Sequence, residues 1–135
     1  MKTIVITIMF GVLLMTSVSS WGGDRENLFR ELQKEVSEIN KSMPMMISNE
    51  IQLTRIIARS DREIAYIVKT VLYSKEQIDT RLLETNLKPP ARNRICSNPK
   101  TLRLAKKGIT LTHVYYDKSD KYIGEFSVTP KECGL

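Results

Sequence analysis

Two pairs of short segments in the chain alternate apolar and polar residues, and a polar turn joins the members of each pair. The first pair covers residues 51–58 and 63–72 on either side of RSDR, and the second covers residues 109–116 and 122–128 on either side of DKSDK. Alternation in segments rich in β-branched and aromatic residues, bounded by turn-forming residues, is typical of β-hairpins. The sequence therefore predicts two hairpins. The strand at 63–72 is apolar on both faces, which indicates a central strand or one covered on both sides.

An amphipathic helix is predicted at residues 24–39. Asp24 follows two glycines and is a good N-cap, and an apolar stripe then recurs at steps of three and four residues. The members of the stripe are Leu28, Leu32, Val36 and Ile39. We expect this stripe to pack against a core, and a docking face or a membrane-proximal stalk after the signal is the alternative.

A second helix is predicted to follow the first hairpin. Ser74 and Gln77 have the spacing of a capping box, which marks a helix start. Proline lacks the N–H that a helix interior needs, so Pro89 and Pro90 are expected to break this helix.

The segment ICSNPKTLRLAKKGI, residues 95–109, carries the start and stop signals of a third, short helix. Asn98 is the expected N-cap, Pro99 the first helical residue and Gly108 the left-handed stop. The helix is basic, with Lys100, Arg103, Lys106 and Lys107. The basic residues of its last turn favourably face the negative end of the helix dipole.

The predicted order of elements is helix, hairpin, helix, short helix, hairpin. This order is typical of an α+β fold, here one small domain with a mainly antiparallel sheet of about four strands packed with the N-terminal helix and two further helices. Along the chain we expect a signal peptide at 1–20, the amphipathic helix within 21–42 and the α+β domain at 43–135.

Residues 1–20 have the composition of a secretory signal peptide. Lys2 precedes an apolar run at residues 4–15, and small polar residues follow. The run is shorter than the ~20 residues that span a bilayer. We therefore expect export to the periplasm, with an uncleaved N-terminal anchor as the alternative. No cysteine lies near the expected cleavage at Ser19 or Ser20, so a lipoprotein is not expected.

The net charge of the chain limits the classes of binding partner that we expect. Lys and Arg number 21 against 15 Asp and Glu, a net charge of +6. An exported protein does not meet chromosomal DNA, so nucleic acid is not an expected partner. The positive excess suits solubility, an acidic partner or peripheral contact with an anionic membrane surface.

The two cysteines, Cys96 and Cys133, are expected to form a disulfide, because the cysteines of exported chains commonly pair. A zinc site needs three or four ligands. Apart from the two thiols the sequence offers one histidine, His113. We therefore expect neither a metal nor a cofactor.

The inventory of catalytic residues is poor. His113 is the sole histidine, no nucleophile motif accompanies it, and the chain has no glycine-rich phosphate loop. A pair of acids could cleave glycosides. The acids in or beside turns are Glu63, Asp117, Asp120 and Glu125. A hydrolase that uses His113 or such a pair is an alternative, but the sequence favours a binding protein without catalytic residues.

Flexible apolar and aromatic side chains are the candidates for a partner-binding face. Methionine adapts to varied apolar surfaces, and tyrosine is enriched at protein interfaces. The candidate residues are Met45, Met46, Tyr66, Tyr115, Tyr116 and Tyr122.

The chain also contains several short sequence motifs in a recognisable order. Met-Pro precedes the first hairpin, Cys-x-Asn-Pro opens the short helix, Gly-Ile follows that helix and a cysteine ends the domain. These residues are Met43, Pro44, Cys96, Asn98, Pro99, Gly108, Ile109 and Cys133. In this pattern residues 43–134 resemble the α/β-type pilotins of bacterial type II secretion.

The resemblance implies a disulfide-containing α+β domain in the periplasm of a Gram-negative bacterium. A pilotin binds the C-terminal helix of an outer-membrane secretin subunit and helps it reach or assemble in that membrane. Such pilotins are lipoproteins, whereas this sequence has no lipidation cysteine.

These features predict a non-enzymatic, chaperone-like accessory protein that binds another envelope protein, such as a secretin or another component of a secretion or pilus system. The alternative is a periplasmic immunity protein or an inhibitor of a toxin or cell-wall hydrolase. A basic, disulfide-linked domain suits both functions.

Overall fold

The computed structural model describes residues 16–135, with side chains from residue 24 onward. The predicted signal peptide therefore lies mostly outside the described residues. Helix α1, Thr16–Asn40, begins within the last residues of that segment and is longer than the predicted helix at 24–39. No helix in the described part of the chain is both long and apolar enough to span a membrane.

The described residues contain two further helices and one five-stranded sheet. The strands are β1 (Met45–Met46), β2 (Ile51–Ser60), β3 (Glu63–Thr70), β4 (Thr110–Tyr116) and β5 (Tyr122–Val128), and the helices are α2 (Lys88–Ser97) and α3 (Pro99–Lys106). Both predicted hairpins are present, and the predicted α+β class is confirmed. The two-residue strand β1 is an addition to the expected strands.

The sheet follows the order of the chain, β1-β2-β3-β4-β5. Neighbouring strands are antiparallel except β3 and β4, which run parallel with Glu63 opposite Thr110 and Lys69 opposite Tyr116. The connection between β3 and β4 contains α2 and α3, and a connection of that length returns the chain to the end of the sheet where β3 began. The result is a mainly antiparallel sheet with one parallel pair at its centre.

The predicted capping box forms, but a longer helix does not follow it directly. The backbone N–H of Ser74 donates to Oε1 of Gln77 at 2.9 Å. The element that it caps is a single 3₁₀ turn, Lys75–Gln77. The start signal is therefore correct, and the length predicted from it is not.

The break predicted at Pro89 and Pro90 is wrong. Both prolines lie in the first turn of α2, directly after a π-helical turn at Leu83–Leu87. The first N–H groups of an α-helix have no partner inside that helix, so proline at these positions sacrifices no hydrogen bond of α2. The prolines therefore mark the start of a helix, which continues to the disulfide cysteine.

One face of the sheet is covered by helices and carries the main core. Leu32 and Val36 of α1 and Ala91 and Ile95 of α2 are buried in it. Ile39, the last member of the predicted stripe, is instead 46% exposed. The buried residues that the sheet and its flanking segments contribute are Ile56, Ile64, Val68, Leu83, Ile109, Leu111, Tyr115, Ile123, Phe126 and Val128.

The opposite face of the sheet has a smaller apolar cluster. Ala65, Ile67 and Val114 are buried there, with Ile57 and Tyr116 partly buried against them. Because β3 contributes Ala65 and Ile67 here and Ile64 and Val68 to the main core, its two apolar faces fit its central position.

Candidate binding groove

A groove of about 510 Å³ lies between α1 and α3, over the helix-covered face of the sheet. Its volume falls in the range of ~300–1,000 Å³ that is usual for binding clefts. Ile56 and Tyr66 reach it from strands β2 and β3, and Glu35 and Ile39 line it from α1. The lining residues from α3 and its ends are Asn98, Lys100, Thr101, Arg103, Leu104 and Lys107. We call this site the α1–α3 groove.

Local capping bonds hold the α3 wall in position. Oδ1 of Asn98 accepts the backbone N–H of Lys100 at 2.9 Å, which confirms the predicted N-cap. The hydroxyl of Thr101 donates to the carbonyl of Ile95 at 2.7 Å and so links α3 to the end of α2. Gly108 has a φ of +84°, the left-handed conformation expected of the helix stop.

The disulfide predicted between Cys96 and Cys133 is confirmed, with the two Cα atoms 5.2 Å apart. It joins the end of α2 to the 3₁₀ turn Pro130–Cys133, which follows β5. An ion pair between Lys88 and Glu132, 3.0 Å from nitrogen to oxygen, links the same two regions. Helix α2, which precedes the α3 wall, is thus fixed covalently to the turn that follows the last strand.

An aromatic stack adjoins the floor of the groove. The ring of His113 lies between Tyr66, with centroids 5.1 Å apart, and Phe126, with centroids 4.9 Å apart. Its buried Nδ1 has no hydrogen-bond partner among the described residues. Burial, and secondarily the positive charge of Arg94, lower the pKa of His113 to about 4. His113 is therefore a neutral packing residue at neutral pH, and no carboxylate in the described part of the chain bonds its Nδ1 to orient it for catalysis.

The α3 wall of the groove is basic. Lys100, Arg103 and Lys107 follow one another at steps of three and four residues, which place them on one side of the helix. All three side chains belong to exposed residues. No ion pair within residues 24–135 includes any of them. The wall therefore offers three cations without a partner in that part of the chain.

Of the six predicted partner-binding residues, Tyr66 lines the groove. Burial raises the pKa of its phenol above the usual value. Tyr115 lies on the same face of the sheet but is only 8% exposed, inside the main core. Tyr115 is thus placed to support the fold beneath the helices.

The other four predicted residues lie elsewhere. Tyr116 and Tyr122 are on the opposite face of the sheet, where their rings meet edge to face at 5.9 Å. Met45 and Met46 form β1 at the edge of the sheet and are 47% and 50% exposed. The six residues are therefore divided among the two faces of the sheet and its edge, and their role in binding stays a prediction.

The acids considered for glycoside cleavage have structural partners. Glu63 and Glu125 both contact Arg59, at 3.5 and 3.7 Å. Asp120 pairs with Lys69 at 3.0 Å. In the described part of the chain, no three His, Cys, Asp or Glu side chains converge on a possible metal site.

Asp117 is a structural carboxylate that sequence reasoning did not distinguish from the other acids. It is 1% exposed, and its oxygens accept the backbone N–H groups of Lys75, Ser119 and Lys121 at 2.8–2.9 Å. Burial raises the pKa of this carboxyl, but the three donors outweigh burial and hold the pKa below its usual value. Asp117 thus ties the turn of the second hairpin to the 3₁₀ turn at Lys75–Gln77.

Sequence reasoning also did not identify the groove. Its residues come from α1, two strands and α3, and nothing in the sequence shows that α1 and α3 lie side by side. The one available signal was the spacing of Lys100, Arg103 and Lys107, which places three cations on one helix face.

No protein-family model matches the sequence, and no curated protein sequence matches it either. The fold is nevertheless similar to those of solved structures. One is a Pseudomonas aeruginosa protein provisionally classed as secreted, with a TM-score of 0.68 at 17% identity over 79% of this chain and 93% of that chain.

Two further solved structures are pilotins of type II secretion systems. The pilotin EpsS from Vibrio vulnificus has a TM-score of 0.63 at 13% identity, over 83% of this chain and 96% of its own. The pilotin AspS from Vibrio cholerae has the same TM-score and identity, over 84% of this chain and 99% of its own. The chain therefore has a pilotin-like fold.

Proposed function

We propose that this chain is a pilotin-like accessory protein of the bacterial envelope that binds a helical segment of another envelope protein, such as a secretin subunit, in the α1–α3 groove. The observation that carries the proposal is the shared fold. It extends over nearly the full length of two type II secretion pilotins. The Cys-x-Asn-Pro motif, the disulfide and the signal-like first twenty residues support the same function.

The composition of the groove supports a helical occupant. Ile39, Ile56 and Leu104 offer apolar surface along the groove, and the charged residues lie on its walls. An amphipathic helix buries its apolar stripe in such a groove while its polar flanks face the rims. The groove also leaves Ile39, an exposed member of the α1 stripe, available for burial by a partner.

A strand-like occupant is less compatible with the site. An extended peptide binds a sheet edge through backbone hydrogen bonds. At Ile56, the backbone N–H and C=O already bond the side-chain amide of Asn40, both at 2.8 Å. The edge of β2 is therefore occupied beside the groove, and binding there depends on side chains.

Binding without catalysis is supported by the environment of the titratable residues. His113 is neutral and stacked between aromatic rings, and Asp117 is buried and accepts three backbone N–H groups. Neither group is arranged to exchange a proton with a bound molecule.

Site-specific photo-crosslinking in the native host tests this proposal. A photoreactive residue replaces Ile39 on the groove wall, and a matched variant carries it at Ser119, an exposed position in the turn of the second hairpin. We expect the Ile39 position to crosslink a secretin subunit, identified by mass spectrometry, and the Ser119 position not to do so.

The same experiment can contradict the proposal. Equal crosslinking of the secretin from both positions would exclude specific use of the groove. Crosslinking only to a toxin or a cell-wall hydrolase would instead favour the immunity or inhibitor function.

A further inference from the structure

We infer that the segment bound in the α1–α3 groove is an amphipathic helix with acidic residues along the flank that faces α3. This inference rests on the proposed function and specifies the chemistry of the partner. It follows from the distribution of charge on the two walls of the groove.

The α3 wall holds a row of three cations, Lys100, Arg103 and Lys107, with Leu104 between the last two. Some cations of the described residues pair with carboxylates, as Arg59 does with Glu63 and Glu125. Others outside the groove, such as Lys34 and Lys118, have no ion pair within residues 24–135. The three groove cations have no ion pair within residues 24–135. A bound carboxylate would therefore gain their charge without first displacing an internal partner from the described residues.

The α1 wall differs from the α3 wall. Glu35 is its charged lining residue, and Ile39 is its apolar one. A helix lying in the groove therefore meets positive charge on one flank and negative charge on the other. A helix with acidic residues on the α3 side and basic residues on the α1 side has charges that match both walls, which fixes its orientation. A helix with the reverse distribution of charge is disfavoured, because its charges would repel those of both walls.

The helical repeat makes the match geometrically simple. The cations at 100, 103 and 107 are spaced by about one turn each. Acids spaced by three and four residues on a partner helix form a row with the same period.

Binding of designed peptides to the oxidised protein purified from the periplasm tests the inference. The three probes are amphipathic 18-residue helices with the same leucine stripe and with Glu, Gln or Lys on one flank. At low salt we expect the Glu peptide to bind about tenfold more tightly than the Gln peptide, and the Lys peptide to bind most weakly. High salt should reduce the difference, because added ions screen exposed charges.

Two charge-matched variants separate a local effect from net charge. The first replaces Lys100, Arg103 and Lys107 with Gln. The second replaces three exposed lysines outside the groove lining, Lys34, Lys118 and Lys131, with Gln. We expect the first variant to lose the preference for the Glu peptide and the second to keep most of it.

The outcomes distinguish the inference from the proposed function. Equal affinity for the Glu and Gln peptides, or equal loss of preference in both variants, overturns the acidic-flank inference and leaves helix binding in place. Failure of all three peptides to bind counts against both.

Discussion

The side-chain amide of Asn40 pairs with the backbone of Ile56 in both directions. Nδ2 of Asn40 donates to the Ile56 carbonyl at 2.8 Å, and the Ile56 N–H donates to Oδ1 of Asn40 at 2.8 Å. The last residue of α1 thus takes the place of a neighbouring strand at the edge of β2. Because Ile39 and Ile56 both line the groove, this pair also sets the position of one groove wall relative to the floor.

Replacing Asn40 with alanine is expected to destabilise the fold. Asn40→Ala leaves a buried N–H and C=O of Ile56 unpaired, which costs about 1–3 kcal/mol of the free energy of unfolding. Urea unfolding measures the change. Asn27→Ala, at an exposed position of the same helix, is the control and should be close to neutral. An equal effect of the two substitutions would contradict a structural role for the Asn40 pair.

Loss of the disulfide is expected to be a large perturbation. Cys96 and Cys133 are 37 residues apart, and closing a loop of that length stabilises a domain by about 4 kcal/mol in the chain-entropy treatment. The double variant Cys96→Ser/Cys133→Ser should lower the urea midpoint accordingly. Reductant should lower the midpoint of the native protein and leave that of the variant unchanged. Thiol labelling of the denatured, unreduced native protein should find no free cysteine.

Gly124 packs closely against Leu83 over β5. A Cβ at Gly124 would lie 2.6 Å from Cδ1 of Leu83, which is 5% exposed in the main core. Gly124→Ala is therefore expected to cost about 1–3 kcal/mol, as overpacked cores do. Leu83→Ala should relieve this clash, so a double-mutant cycle measured by urea unfolding should give a coupling of about 1 kcal/mol. Additive effects would show that Leu83 moves aside freely.

His113 is expected to make stability depend on pH. Its pKa is about 4 in the folded protein, against 6.5 for an unperturbed histidine, so between these values the unfolded state binds more protons. The free energy of unfolding should therefore fall as the pH falls through this range, by about 2–3 kcal/mol between pH 7 and pH 4.5.

A variant isolates the histidine from carboxylates that also titrate in acid. His113→Phe keeps an aromatic ring between Tyr66 and Phe126 and removes the titrating group. Urea unfolding at pH 7 and pH 4.5 should show a smaller loss for this variant than for the native protein. Identical losses would mean that carboxylates alone account for the acid sensitivity.

Local signals in the sequence predicted the elements that short-range forces determine. The alternation around RSDR and DKSDK predicts both hairpins, because side chains of a strand point alternately to its two faces. The N-cap at Asn98, the first-turn proline at Pro99 and the stop at Gly108 are set by neighbouring backbone groups. The Cys96–Cys133 pair was predictable because the chain has two cysteines and a signal-like start.

Three features depended on the tertiary structure. Pro89 and Pro90 are compatible with a break or with a helix start, and in the structure they follow the π turn and lie in the first turn of α2. Two of the donors to Asp117, Ser119 and Lys121, are local to its turn, but the third is available only because the β4–β5 turn meets the segment at Lys75. The parallel pairing of β3 and β4 depends on how the crossover helices pack, which no local pattern encodes.

The sequence by itself determined the class of the fold, its two hairpins, its capped short helix, its disulfide and its resemblance to the pilotins. Only the tertiary structure brought α1 beside α3 and so created a groove with an apolar floor and one basic wall. The physical reason is that periodicity, caps and turns act between residues close in the chain. A binding surface is made by residues far apart in the chain, here from Glu35 to Lys107, whose proximity results from burying one shared core.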